Sequence, residues 1–119
     1  MTVLRVLVSG SRDYDNVQRI REVFEKVMQK FECDEYVLIS GHARGADTIA
    51  ETVAEELGWQ VEVFPAEWSK YGKRAGGMRN QQMVDSGADI CVAFPLGTSV
   101  GTWDCIRRAK AAGIPTRTF

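Results

Sequence analysis

Val3-Leu4-Arg5-Val6-Leu7-Val8-Ser9-Gly10-Ser11-Arg12 is the stretch that decides the architecture. Residues 3–9 are rich in Val and Leu and read as a buried strand, which Gly10-Ser11 closes with a turn. Outward from it the chain alternates helix and strand. Asp15 or Asn16 caps a helix whose apolar positions Val17, Ile20, Phe24, Val27 and Phe31 keep the three-and-four spacing of one buried face. A second strand is predicted over 36–40. A second helix follows over 46–57, with Ile49, Val53 and Leu57 on one side and Gly58 placed to end it. A third strand covers 59–64, and a longer connection, 66–77, holds Trp68, Tyr71 and a basic cluster. A rather polar helix over 77–86 stops at Gly87, a fourth strand spans 89–94, and a helix over 102–112 ends at Gly113. The last strand, 114–119, contains Pro115 and so belongs at an edge. Five strands alternating with four helices describe an α/β domain with an open, mostly parallel sheet covered on both faces.

Composition narrows the function classes. The 119 residues amount to a single domain, 1–119, with 15 Lys+Arg against 16 Asp+Glu and a net charge of -1. Hydrophobic residues make up 45% and charged residues 26%, which excludes disorder and a wholly basic nucleic-acid coat. No apolar run approaches the ~18 residues of a membrane helix, and the first one is too short for a signal peptide, so a cytoplasmic, reducing setting is expected. Cys33, Cys91 and Cys105 form no C-x-x-C pair and read as free, buried thiols. His42 is the single histidine, so a zinc site built on two histidines is excluded, and no metal or cofactor is expected. The stretch 68–84 contains Lys70, Lys73, Arg74 and Arg79 and no acid. It is either a solvated basic loop or a local field for an anion.

In open parallel sheets ligands bind beyond the carboxyl ends of the strands, where the strand order reverses. The loops after strands one, two and four are all glycine- or hydroxyl-bearing: Ser9-Gly10-Ser11-Arg12, Gly41-His42-Ala43-Arg44-Gly45-Ala46-Asp47 and Gly97-Thr98-Ser99-Val100-Gly101-Thr102. Each leads toward a helix, whose unpaired first-turn N–H groups and dipole suit a phosphate. Neither G-x-G-x-x-G after the first strand nor G-x-x-x-x-G-K-[ST] occurs, which disfavours an ordinary dinucleotide dehydrogenase and a P-loop NTPase.

These segments, together with Pro65-Ala66-Glu67-Trp68, Ala75-Gly76-Gly77-Met78-Arg79-Asn80 and Ala93-Phe94, resemble the YspA/YpsA-related branch of the SLOG superfamily over essentially the whole chain. That superfamily also holds the LOG phosphoribohydrolases and DprA. The resemblance implies a Rossmann-like, three-layer α/β/α fold that binds or senses a nucleotide or nucleotide-derived small molecule. It implies ligand or phosphate contacts at Gly10, Ser11, Arg12, Gly41, His42, Arg44, Gly45, Asp47, Arg79, Asn80, Gly97, Thr98, Ser99, Gly101 and Thr102. Gly97, Gly101 and Thr102 are similar to the family's phosphate-binding segment. Met78-Arg79-Asn80 with Met83 is similar to the LOG helix that presents an arginine, and Arg79 is expected to open its helix.

The chain departs from the LOG motif G-G-x-G-T-x-x-E, because Cys105 stands where the carboxylate belongs and Asp104 lies one residue earlier. Successive helical side chains point about 100° apart, so Asp104 does not replace it directly, and a neutral thiol cannot stabilise an oxocarbenium-like centre. Asp104 and Arg79 are the candidates if the protein is an enzyme, with a nucleoside 5'-monophosphate phosphoribohydrolase as the alternative function. Asp104 reads equally as an acid favoured by the helix dipole. Asp47 reads as a helix cap or as an acceptor for a ribose hydroxyl. His42 falls where relatives carry glycine, so its ring is expected to reach solvent or ligand. Trp68 and Tyr71 either stack a base or anchor their own loop. A homodimer suits a domain of this size. A DprA-like role on DNA is the weakest alternative, because the charge balance makes nucleic acid a poor partner.

Overall fold

Successive side chains of a strand point to opposite faces of the sheet, and β1 (Val3–Gly10) is buried on both. The computed structural model describes residues 2–119. Leu4, Val6 and Val8 enter one core with Phe24 of α1 (Val17–Lys30), Leu38 of β2 (Glu35–Ser40) and Val53 of α2 (Ala46–Glu56). Leu7 enters the other core with Ile39 of β2, Met83 of α4 (Ala75–Asp85) and Cys105 and Ala109 of α5 (Val100–Ala111). Each buried side chain of Leu size contributes about 1.5–3 kcal/mol, so the two cores hold the three layers together.

The sheet order is β3-β2-β1-β4-β5, where β3 is Gln60–Val63, β4 is Ile90–Phe94 and β5 is Thr116–Thr118. Every pairing is parallel, so the "mostly parallel" expectation becomes wholly parallel. β5 lies at an edge, as Pro115 implies. The connections run outward through β2 and β3 and then cross back to β4, so the order reverses between β1 and β4. Among the described residues no helix is long and apolar enough to cross a membrane.

Local signals explain most element ends. Asn16 Oδ1 accepts from Arg19 N at 3.0 Å and caps α1. Gly58, Gly87 and Gly113 take positive φ just beyond α2, α4 and α5. Four expectations need correction. Val17 is half-exposed, and Val23 takes its place in the buried stripe because Val17 occupies the first, frayed turn. The connection expected over 66–77 is shorter, ending before Ala75, and holds the short helix α3 (Trp68–Tyr71) and a 3-10 turn, Gly72–Arg74. α4 consequently starts at Ala75, and Arg79 is its fifth residue rather than its opening one. α5 starts at Val100, so Gly101 and Thr102 are helical and not part of the preceding loop.

Candidate functional site

At the β1–β4 switch point the chain leaves a cleft of about 1060 Å³. Gly10, Ser11 and Arg12 enter it from β1, and Asp47 from α2. Arg79 and Asn80 line it from α4, Thr98 and Ser99 from the loop after β4, and Gly101, Thr102 and Asp104 from α5. A smaller cavity of about 340 Å³ adjoins it and shares Arg12, Ala43, Trp68 and Arg79; Gly41, His42 and Arg44 line that second space. Gly45 and Gly97 line neither.

The glycine loops differ in what they are packed against. A Cβ on Gly10 would overlap the Cβ of Ala46, so this glycine lets α2 lie close against β1. Gly45 has φ +81, and a Cβ there would overlap the Arg12 carbonyl. The two loops are tied together: Ala46 N donates to Ser11 O at 3.1 Å, and Ser11 N to Phe94 O at 3.0 Å. The α2 N-terminus is therefore met by the protein's own backbone. Gly45, not Asp47, is its N-cap.

Asp47 instead turns inward. Its Oδ2 accepts from Ala43 N at 3.2 Å, while Oδ1 is buried with no hydrogen-bond partner. Burial pushes its carboxyl up to about 7, against the lowering pull of the Ala43 N–H and of Arg79. A buried acceptor without a donor is costly and marks a place where a donor from outside would fit.

α5 presents the opposite situation. Its N-cap Ser99 makes no side-chain cap, because Ser99 Oγ donates to Leu96 O at 2.5 Å. The first turn of α5 lines the cleft through Val100, Gly101 and Thr102, and nothing lies within 4 Å of a Cβ added at Gly101. Six cations line the cleft, Arg12, Lys73, Arg74, Arg79, Arg107 and Arg108, against three acids. One acid, Asp47, is half-neutralised near pH 7; another, Asp104, is paired with Arg108 at 2.8 Å and Arg107 at 3.7 Å. The cleft is thus net positive, and the open helix end adds to that field.

Arg79 is not a loose surface arginine. Its Nη1 donates to Gly41 O at 2.6 Å and its Nε to Asn80 Oδ1 at 2.9 Å, and the guanidinium occupies the space that a Gly41 Cβ would need. Asn80 Nδ2 in turn donates to Gly101 O at 3.2 Å and Asp104 Oδ2 at 2.9 Å. This chain of bonds fixes α4 against α5 and holds the guanidinium at the junction of the two cavities. Burial alone would raise the Asp104 carboxyl, but hydrogen bonds from Arg108 and Asn80 and the charges of Arg108 and Arg107 hold it below the usual range. Cys105 is fully buried, and burial pushes its thiol up to about 11. Neither residue offers a free carboxyl to the cleft.

His42 has φ +57, and its exposed ring pairs through Nδ1 with Glu51 at 2.8 Å. Glu51, Ser40, Arg107 and Arg108 escaped the sequence reading. The signals were there, since Glu51 follows Asp47 by one helical turn and Arg107 and Arg108 follow Asp104 by three and four residues. Trp68 is half-exposed over Gly76, with the Arg12 guanidinium 5.7 Å from its ring, and lines both cavities; Tyr71 lines neither. Among the described residues no three His, Cys, Asp or Glu side chains gather as a metal site would need.

Comparison with known proteins fits this architecture. The chain is similar to the Gene 61 protein of Mycobacterium phage D29, with 43% identity over 120 residues covering 97% of this chain and 95% of that protein. Its fold is similar to the X-ray structure of DNA processing protein A (DprA) from Streptococcus pneumoniae, with a TM-score of 0.69 and 20% identity over 98% of this chain. This chain spans 50% of that longer one. The model of the YspA, cpYpsA-related SLOG family matches residues 4–71, which carry β1 to α3 and two of the three glycine loops. By that match the chain belongs to the YspA, cpYpsA-related SLOG family.

Proposed function

We propose that this protein binds a nucleotide or nucleotide-derived small molecule in the β1–β4 cleft. The observation that carries the reading is the pairing of an uncapped, cation-flanked helix end with an unpartnered buried carboxyl oxygen across one cleft. A phosphate meets the N–H groups of Val100, Gly101 and Thr102 and the guanidinium of Arg79. Asp47 Oδ1 accepts from a hydroxyl or amino group of the same ligand, and Trp68 offers a half-exposed ring to a base. Ser11, Arg12 and Thr98 supply further donors along the cleft wall.

The phosphoribohydrolase alternative loses support from the same geometry. Asp104 is committed to Arg108 and Asn80, and Cys105 is a buried, protonated thiol, so neither suits an oxocarbenium-like centre. A role on DNA draws its support from the fold likeness to DprA and from the basic cleft lining, within a chain of net charge -1.

Thermal unfolding in the presence of mono-, di- and cyclic nucleotides, NAD and ADP-ribose tests the proposal. A ligand at about 100 times its Kd adds about 2.7 kcal/mol, which raises the Tm of a domain this size by roughly 10 °C. No shift with any of them would defeat it.

A further inference from the structure

The second cavity contains an arrangement that ligand binding in the main cleft leaves unused. His42 Nδ1 lies 2.8 Å from Glu51 Oε1 and 3.1 Å from Oε2. Glu51, whose side chain is only 12% exposed, also accepts from Ser40 Oγ at 2.7 Å, and the His42 backbone N donates to that same hydroxyl at 3.2 Å. The carboxylate therefore holds the proton of the ring on Nδ1 and presents the Nε2 lone pair outward. Nε2 makes no protein hydrogen bond among the described residues. The backbone carrying this ring sits at φ +57, the sole positive φ outside glycine among the described residues. Such a conformation is unfavourable for a residue with a side chain and persists where the surroundings over-determine it.

Arg12, Arg44 and Arg79 line the cavity with His42, and the first and last of them also line the main cleft. The charged groups around the ring are thus Glu51 and Asp47 from α2, Arg12 from the loop after β1, Arg44 from its own loop and Arg79 from α4. Three arginines lining one cavity with an oriented imidazole, of which Arg44 also pairs with Asp13 at 3.7 Å, match the charge of a phosphoryl group.

We infer that His42 is a general base for hydrolysis of a phosphate ester or anhydride, held at Arg12, Arg44 and Arg79, with Glu51 as the positioning residue. The inference rests on the proposed nucleotide binding for its substrate class. In the reaction a water oxygen forms the new P–O bond while one water proton moves to Nε2. The P–O bond to the leaving group breaks, its electron pair stays on the departing oxygen, that oxygen takes a proton from bulk water, and the imidazolium returns its proton to bulk water. A positioned base of this kind is worth about 10²–10⁴-fold in rate.

The experiment incubates the purified chain with AMP, ADP and p-nitrophenyl phosphate and measures phosphate release, beside thermal shifts with AMP and ADP. Release is expected, with a loss of about 100-fold or more in His42→Gly. Glycine accepts φ +57, so that variant stays folded, and added imidazole should restore turnover in proportion to its concentration. Glu51→Gln should retain part of the rate. Release from none of the three substrates, or equal release by His42→Gly, overturns the assignment. A nucleotide shift without release defeats the hydrolase and leaves the binding site standing. His42-dependent release from p-nitrophenyl phosphate without any nucleotide shift supports the base and counts against nucleotide binding.

Discussion

The N-termini of α2 and α5 look alike as sequence and differ as structure. Both follow a parallel strand and a glycine-bearing loop. At α2 the protein fills the position itself: Ser11 O accepts from Ala46 N, and Gly10 and Gly45 permit contacts too close for a side chain. At α5 the first turn opens on the cleft, and Gly101 has empty space where its side chain would be. A glycine serves close packing when its missing Cβ is replaced by another part of the chain, and serves an outside group when nothing replaces it.

The largest expected effect lies on the packed side. Gly45→Val combines a β-branched residue at φ +81 with overlap onto the Arg12 carbonyl, and should cost about 4 kcal/mol or more. Urea unfolding of the variant measures it. A loss under about 1 kcal/mol would mean that the two loops are not tightly joined.

Asp47 comes next, because it stands at the boundary between the packed and open ends. Its carboxyl is raised from an ordinary 3.8 to about 7, so the folded state holds a proton that the unfolded chain releases. The stabilisation from that raised value is fully present below about pH 4, is lost as the pH rises toward 7, and is absent beyond. Asp47→Asn should remove this slope and raise stability at pH 8 by about 2 kcal/mol. Denaturant unfolding between pH 4 and 8 checks the sign, and an unchanged slope would place the titration elsewhere.

Arg79→Met sharpens the comparison from the middle. The guanidinium bonds Gly41 O and Asn80, so its loss should destabilise the empty protein by about 1.5 kcal/mol, besides weakening any anion. A variant with unaltered unfolding would return Arg79 to the role of a free surface cation.

Gly101→Ala is the smallest change on stability. The residue is helical with open space around it, so alanine should stabilise the fold by about 0.5 kcal/mol. Calorimetry with the best nucleotide should show weaker binding in the same variant, because the methyl group stands in the path of a phosphate. Unchanged affinity would take the α5 end out of the site.

Much of this was legible beforehand in specific residues. The Val-Leu run of β1, a cap at Asp15 or Asn16, the stop at Gly58 and the edge strand after Pro115 follow from hydrophobic period and turn chemistry, which are local. Ser11 and Arg12 are legible as the end of a strand, a local feature, whereas Arg79 and Asn80 lie inside α4 and are marked in the sequence by the family resemblance. Glu51 and Ser40 were not, because a surface-type acid nine residues from His42 shows its purpose only when the loop folds back. α4 starts at Ala75, ahead of the expected 77, because contacts with α3 and α5 override the poor intrinsic helicity of Gly76-Gly77.

The sequence by itself determined the strand–helix alternation, the parallel sheet and the loops where chemistry gathers, because each depends on periodicity and nearest neighbours in the chain. Tertiary structure alone decided which glycine is filled and which is open, why Asp47 is an orphaned acid rather than a cap, and that Arg79 is a bonded strut. Those properties depend on which distant segment occupies the adjoining volume, and volume exclusion and desolvation act between residues that the linear order leaves far apart.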